Sequence, residues 1–124
     1  MVRLIDVKVD SLDEFKSLVT PLLPPDGKLK CLEVYICKLT AQQLAFLFEI
    51  LSKNRKDSIE NLLFWKVEFL GQDSPLLGYQ VEQAVQRLRQ MKTFMVYQCS
   101  FPNQSIRSAL LGFCSEFLEN ARAI

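Results

Sequence analysis

Lys28-Leu29-Lys30-Cys31-Leu32-Glu33-Val34-Tyr35-Ile36-Cys37-Lys38-Leu39-Thr40 is the stretch that decides how the rest of the chain is read. Its apolar residues Leu29, Leu32, Val34, Cys37 and Leu39 fall at offsets 0, 3, 5, 8 and 10. The same offsets select Val2, Ile5, Val7, Asp10 and Leu12 upstream, and Ile59, Leu62, Phe64, Val67 and Phe69 downstream. They recur once more at Met91, Phe94, Val96, Cys99 and Phe101. With starts at residues 2, 29, 59 and 91, the intervals are 27, 30 and 32 residues, the size that marks repeat architectures. One domain over residues 1–124 is expected, in units of about 2–28, 29–58, 59–90 and 91–124, belonging to a longer protein or assembly.

Each unit opens with an alternating segment, such as Leu32 and Val34 inward with Glu33 and Tyr35 outward, which reads as a strand. A helix follows. Leu44, Leu47, Phe48 and Leu51 stand at i, i+3, i+4 and i+7, and Thr40-Ala41-Gln42-Gln43 ahead of them has capping-box spacing. Ser11-Leu12-Asp13-Glu14 repeats the device before Phe15, Leu18, Val19 and Leu22, where the helix should end near Pro21 or before Pro24-Pro25, with Asp26-Gly27 turning the chain. The third unit carries the loop Gly71-Gln72-Asp73-Ser74-Pro75 before a stripe of Val81, Ala84, Val85 and Leu88. The fourth carries Ile106, Leu110, Phe113, Phe117 and Leu118 as a helical stripe, and Ser52 to Ser58 reads as a surface turn. Strand–helix units in series predict an α/β fold with a parallel sheet, since such crossovers are right-handed. Charges at Asp6, Lys8, Glu33 and Lys66 keep one face wet, so the helices should lie on the other face alone, unlike a doubly wound sheet.

The chain has 124 residues, 49% of them hydrophobic, enough for one modest core. Fifteen basic and fourteen acidic residues leave a formal charge of +1 without long blocks of either sign, which argues against a nucleic-acid footprint or a polybasic membrane patch. No apolar run reaches the roughly 18–20 residues needed to span a bilayer, and the N-terminus lacks a signal-peptide pattern. Cys31, Cys37, Cys99 and Cys114 include no C-x-x-C pair. Cys37 and Cys99 share a repeat position two units apart, about 10 Å by strand spacing and beyond disulfide reach. Buried free thiols in a reducing compartment, cytoplasm or nucleus, are the expectation.

The pattern Leu29-x-x-Leu32-x-Val34-x-x-Cys37-x-Leu39-Thr40 resembles the leucine-rich repeat, in its longer ribonuclease-inhibitor-like class. The resemblance covers nearly the whole chain and implies a short solenoid of four β–α units, with a concave parallel sheet and helices on the convex side only. Its irregular units, with Phe and Val replacing Leu, are similar to those of F-box-type substrate receptors and less like the regular repeats of innate-immune receptors. In this class a small ninth residue turns inward and satisfies backbone groups where the strand ends. Asp10 could do this well, and Cys37 and Cys99 weakly. Val67 could not, so an irregular third loop is expected.

On that alignment position 7 reads Lys8, Tyr35, Trp65 and Tyr97, and position 5 reads Asp6, Glu33, Leu63 and Met95. These eight residues are the candidate partner-binding face. Three aromatics in register would form an exposed row of the kind that dominates interface energetics. The plainer explanation is a cross-strand ladder that stabilises the sheet by roughly 0.2–1 kcal/mol per pair. Asp6 and Glu33 at one end would favour a basic feature on the ligand.

Chemistry is sparsely represented. The chain has no histidine, which removes the usual general base and commonest metal ligand. Gly27, Gly71, Gly78 and Gly112 form no phosphate-cradling loop. Asp13-Glu14 in a helix's first turn complement its dipole, and Lys53, Arg55 and Lys56 form a solvated basic turn. No catalytic residue, metal or cofactor is expected. The expected function is a non-catalytic protein–protein interaction module; the resemblance extends it to substrate recognition beside a ubiquitin-ligase adaptor. The alternatives are a structural subunit docking end to end or in a hetero-oligomer through uncapped solenoid ends, or the repeat part of an innate-immune-type receptor.

Overall fold

The computed structural model describes residues 1–23, 29–55, 59–71, 79–80, 82–83, 86, 88, 91–102, 104–111 and 116–118. Its elements are β1 (Val2–Ile5), α1 (Leu12–Val19) running into a 3-10 turn (Thr20–Leu22), β2 (Cys31–Tyr35), β3 (Lys38–Thr40), α2 (Ala41–Arg55), β4 (Asn61–Trp65), β5 (Glu68–Leu70), β6 (Thr93–Tyr97), α3 (Gln104–Leu111) and β7 (Glu116–Leu118). The fold is mixed α/β. Five strands form one parallel sheet in the order β1-β2-β4-β6-β7, and β3 and β5 form a second short parallel ladder beside it.

Strand pairing fixes a register that differs from the expected one in the first unit. Cys31 stands opposite Asn61 and Asn61 opposite Thr93, intervals of 30 and 32 as expected. Val2, however, lies opposite Leu32 rather than in line with Leu29, so the first interval is also 30. The pleat explains the correction: Leu4 is 2% exposed in the core and Ile5 is 57% exposed, the reverse of the expected assignment. The backbone agrees, because Asp6, Ile36, Lys66 and Gln98 take φ of 59, 54, 54 and 55°, one left-handed residue directly after each of β1, β2, β4 and β6. Each of the first three donates its N–H to the residue preceding the left-handed one on the next strand: Asp6 to Tyr35 O, Ile36 to Trp65 O and Lys66 to Tyr97 O, at 2.9–3.0 Å.

The ninth position therefore holds Val7, Cys37, Val67 and Cys99, and Asp10 has no part in it. The Cys37 sulfur accepts from Val7 N at 3.3 Å, and its S–H faces Leu4 O and Tyr35 O at 3.4 and 3.2 Å. Burial is the main cause that pushes this thiol above its ordinary value. Val67 leaves the turn regular nonetheless: Glu68 N bonds Cys37 O and Ser100 N bonds Val67 O. The ladder there needs backbone groups alone. Most of the inserted loop, from Gln72 to Pro75, lies outside the described residues.

Both expected helix caps form. Glu14 N donates to Ser11 Oγ at 3.2 Å, and α1 yields to the 3-10 turn at Pro21. Around α2 the box is reciprocal: Gln43 N donates to Thr40 Oγ1 and Thr40 N to Gln43 Oε1. Gln43 is fully buried, and its Nε2 donates to Val9 O at 2.8 Å, tying the second helix to the first unit. Two expectations are corrected. α2 continues through Arg55, so Ser52 to Arg55, with Lys53, are helical rather than a turn. Phe117 and Leu118 lie in β7, opposite Val96 and Tyr97, rather than on a helix, so β6 is not the sheet's edge. Val81, Ala84, Val85, Phe113, Cys114 and residues 24–28 and 56–58 lie outside the described residues.

The inward faces of the strands meet the helices in one core. Phe48 of α2 stands edge-on to Phe64 and Phe94 at 6.1 and 6.0 Å, and Phe64 meets Phe69 at 5.7 Å. Offset and edge-on rings are the favoured aromatic arrangements, worth about 0.5–1.5 kcal/mol per pair beyond burial. Along the strands' N-terminal ends Glu60 bridges Lys30 and Lys92, each at 3.5 Å, and Lys92 foremost holds its carboxyl below the ordinary range. Cys31, Cys37 and Cys99 are free thiols.

Two outcomes follow from these contacts. Gln43→Met should lower stability by about 1–3 kcal/mol in urea titration, since it strips partners from Thr40 N and Val9 O, whereas Gln42→Met on the exposed side should stay within about 0.5 kcal/mol. Equal shifts would contradict the buried network. In mass-spectrometric alkylation of the native protein, Cys37 and Cys99 should react far more slowly than half-buried Cys31; the raised Cys37 value also means that stability falls once alkaline pH strips this proton from the unfolded chain first.

Candidate functional site

Strand parity sends Glu33 and Tyr35, Leu63 and Trp65, Met95 and Tyr97 to the face opposite the helices, and all six are half-buried. Register then aligns them across the sheet: Tyr35 beside Trp65 beside Tyr97, and Glu33 beside Leu63 beside Met95. The Tyr35 and Trp65 rings meet edge-on, 5.6 Å apart at 75°. Lys66, turned back by its left-handed backbone, places Nζ 4.6 Å from the Trp65 ring centre, a cation–π contact. A third column, Cys31, Asn61 and Thr93, borders the face, with the Thr93 hydroxyl donating to Asn61 Oδ1.

The corrected register moves Asp6 and Lys8 off these columns. Ile5 occupies the aromatic row ahead of Tyr35, and Arg3 the place beside Glu33. Asp6 sits in the turn after β1 and pairs with Lys8 at 2.8 Å, both exposed; the pairing raises the Lys8 ammonium value. The expected acidic end is absent in this arrangement. Arg3 Nε donates to Glu33 Oε1 at 2.7 Å, and the same oxygen accepts from the Tyr35 hydroxyl at 3.1 Å. Glu33 is thereby neutralised and committed. Desolvation first, and Glu33 second, push the Tyr35 phenol above its ordinary value.

At the other end the face turns apolar. The Tyr97 hydroxyl reaches Met95 Sδ at 3.4 Å, and β7 aligns Glu116 with Met95 and Leu118 with Tyr97. Leu63, Met95, Trp65 and Tyr97 thus form a contiguous apolar and aromatic surface, bordered by Lys66 and by Asn61 and Thr93. Such a surface can bury a partner's apolar side chains and offers no nucleophile–base pair. Among the described residues no group of three or more histidine, cysteine or acidic side chains could hold a metal ion, and no helix is long and apolar enough to cross a membrane. Sequence reasoning missed Arg3 and Ile5, and it set Lys66 on the wet face without counting it among the candidate residues; the signal for it was its place directly after the only tryptophan.

The chain matches no family model, no curated protein and no solved structure.

Glu33→Gln removes the carboxylate that disfavours the Tyr35 phenolate. The Tyr35 phenol should then titrate at lower pH than in the parent, read by ultraviolet difference spectroscopy, and an unchanged titration would contradict the contact. The sign for stability is fixed by the raised value: this group's contribution is present below the ordinary phenol range and is lost as pH climbs through the folded one.

Proposed function

We propose that the chain is a leucine-rich-repeat solenoid of four β–α units and that it works as a non-catalytic protein-binding module, holding its partner on the face centred on Trp65. The observation that carries this is the in-register row of Tyr35, Trp65 and Tyr97 flanked by Leu63 and Met95. Sequential strand order, intervals near 30 residues and a left-handed residue closing each of β1, β2, β4 and β6 support the solenoid. Aromatic and methionine side chains are enriched at interface cores, and Trp and Tyr dominate hot spots. With Glu33 already bonded to Arg3 and Tyr35, apolar contact at Leu63, Met95, Trp65 and Tyr97 carries affinity, and charge contributes at the rim.

Truncating two hot-spot rings separates binding from sheet stability. Trp65→Ala with Tyr97→Ala should weaken partner binding by at least about 2 kcal/mol, near thirtyfold, while far-ultraviolet circular dichroism stays that of the parent. The comparison is quantitative mass spectrometry of proteins captured by parent and variant, followed by titration of the captured partner. Undiminished binding by the folded variant would place the site elsewhere.

A further inference from the structure

The charges along the aromatic face pair off and leave Lys66 over. At the C-terminal ends of the strands Asp6 pairs with Lys8 at 2.8 Å and Glu68 with Lys38 at 3.9 Å. Within the face the Glu33 carboxylate is held by Arg3. Lys66 stands in the row just past the aromatics, between Ile36 and Gln98, and among the described residues no carboxylate pairs with it. Its ammonium lies instead 4.6 Å from the centre of the Trp65 ring. The opposite ends of the strands carry a surplus of the same sign, since Glu60 alone serves both Lys30 and Lys92, at 3.5 Å each. β7 aligns Glu116 with Met95. That place is two strands and three residues from Lys66, about 14 Å by sheet spacing, beyond the roughly 8 Å Debye length at physiological salt.

This geometry makes two contacts inseparable. A partner that buries the Trp65 indole also covers the ammonium beside it, and removing a charge from water without a counter-ion is costly. A lysine ammonium has three donors, so it can rest on the ring and still donate outward. An ionised carboxylate is the strong acceptor that suits it. Ile36, 45% exposed in the same row, and half-buried Leu63 and Met95 supply apolar surface on either side. A nucleic-acid strand is anionic too, but it would find the Trp65 ring already covered by Lys66 and would bring its phosphates past Asp6, Glu60 and Glu68.

We propose that the occupant of this face is an acidic–apolar segment of a partner protein, with one Asp or Glu carboxylate docking on Lys66 and neighbouring apolar side chains covering Trp65, Leu63 and Met95. This rests on the reading of the face as the partner site, and it reverses the sign of ligand that Asp6 and Glu33 suggest in the sequence. Both of those carboxylates are already engaged, Asp6 by Lys8 and Glu33 by Arg3 and Tyr35. Lys66 then selects as well as binds. A basic or wholly apolar segment would bury its ammonium unpaired, and discrimination of this kind comes from penalising the wrong partner.

Short random peptides displayed on phage and selected on the full chain supply the probe; the enriched ones are synthesised and titrated by fluorescence anisotropy. Enriched sequences should set Asp or Glu beside Leu, Ile or an aromatic residue. Lys66→Gln should weaken their binding about fivefold and flatten its salt dependence, whereas Lys66→Arg should keep both. Changing the peptide's acid to its amide should cost the same on the parent and nothing further on Lys66→Gln. If Lys66→Gln does not fold, the peptide substitution on the parent decides alone, and unchanged affinity there overturns the proposal. Peptides that need Trp65 and Tyr97 yet carry no acid, or that ignore Lys66→Gln, overturn it while leaving the face a binding site. No enrichment, or binding that survives Trp65→Ala with Tyr97→Ala, removes the site itself. An oligothymidine strand that binds more tightly than the peptides would overturn the choice of a protein segment.

Discussion

Register in the parallel ladder of β2, β4 and β6 is the constraint on which the molecule depends. Because side chains alternate along a strand, a one-residue slip would exchange the two faces. In the observed register Leu32, Val34, Leu62, Phe64, Phe94 and Val96 all enter the core, and Tyr35, Trp65 and Tyr97 all leave it. The core enforces that choice. Slipping β4 alone would pull Phe64 from its contacts with Phe48, Phe69 and Phe94 and set Trp65 and Leu63 in its place. The aromatic row is thus positioned by what lies behind it.

Where the chain leaves the five-stranded sheet it turns at a single residue. Asp6, Ile36, Lys66 and Gln98 do so in the left-handed region, which costs non-glycine residues roughly 1–2 kcal/mol each. Ile36, being β-branched, is the most strained of the four. The backbone bonds that Asp6, Ile36 and Lys66 make to the following strand offset that cost, and the buried sulfur of Cys37 adds a contact to Val7 N where the first turn meets the second. Past the turn, the short β3–β5 ladder and the Thr40–Gln43 box set the direction of α2, and the bond from Gln43 to Val9 O locks it to the unit before.

Much of this was legible in the sequence, and the failures have identifiable causes. The second, third and fourth strands and both helix caps could be read because alternation and capping chemistry are local. The first unit was misaligned because Val2, Leu4, Ile5, Val7 and Val9 are apolar at nearly every step, so two phases fit the pattern. What separates them is the pairing of Val2 with Leu32 and the left-handed turn at Asp6, neither of which composition records. Phe117 and Leu118 read as helical because Leu110 and Phe113 precede them at helical spacing; the edge of β6 draws them into a strand instead. Of the candidate face, Tyr35, Trp65, Tyr97, Leu63, Met95 and Glu33 followed from parity alone. Arg3 and Ile5 required the correct register, and with it Glu33 changed from a ligand for basic groups into a partner of Arg3 and Tyr35.

Fold and candidate face alike rest on which residues neighbour one another across a single sheet face, and nuclear Overhauser contacts read that directly. The central expectation is an unbroken chain of cross-strand contacts from Ile5 to the Tyr35 ring, from Tyr35 to the Trp65 indole, and from Trp65 to the Tyr97 ring, with none from these rings to Phe48 or Phe94. Contacts of Lys8 rather than Ile5 with Tyr35, or of the Trp65 indole with the core phenylalanines, would contradict it.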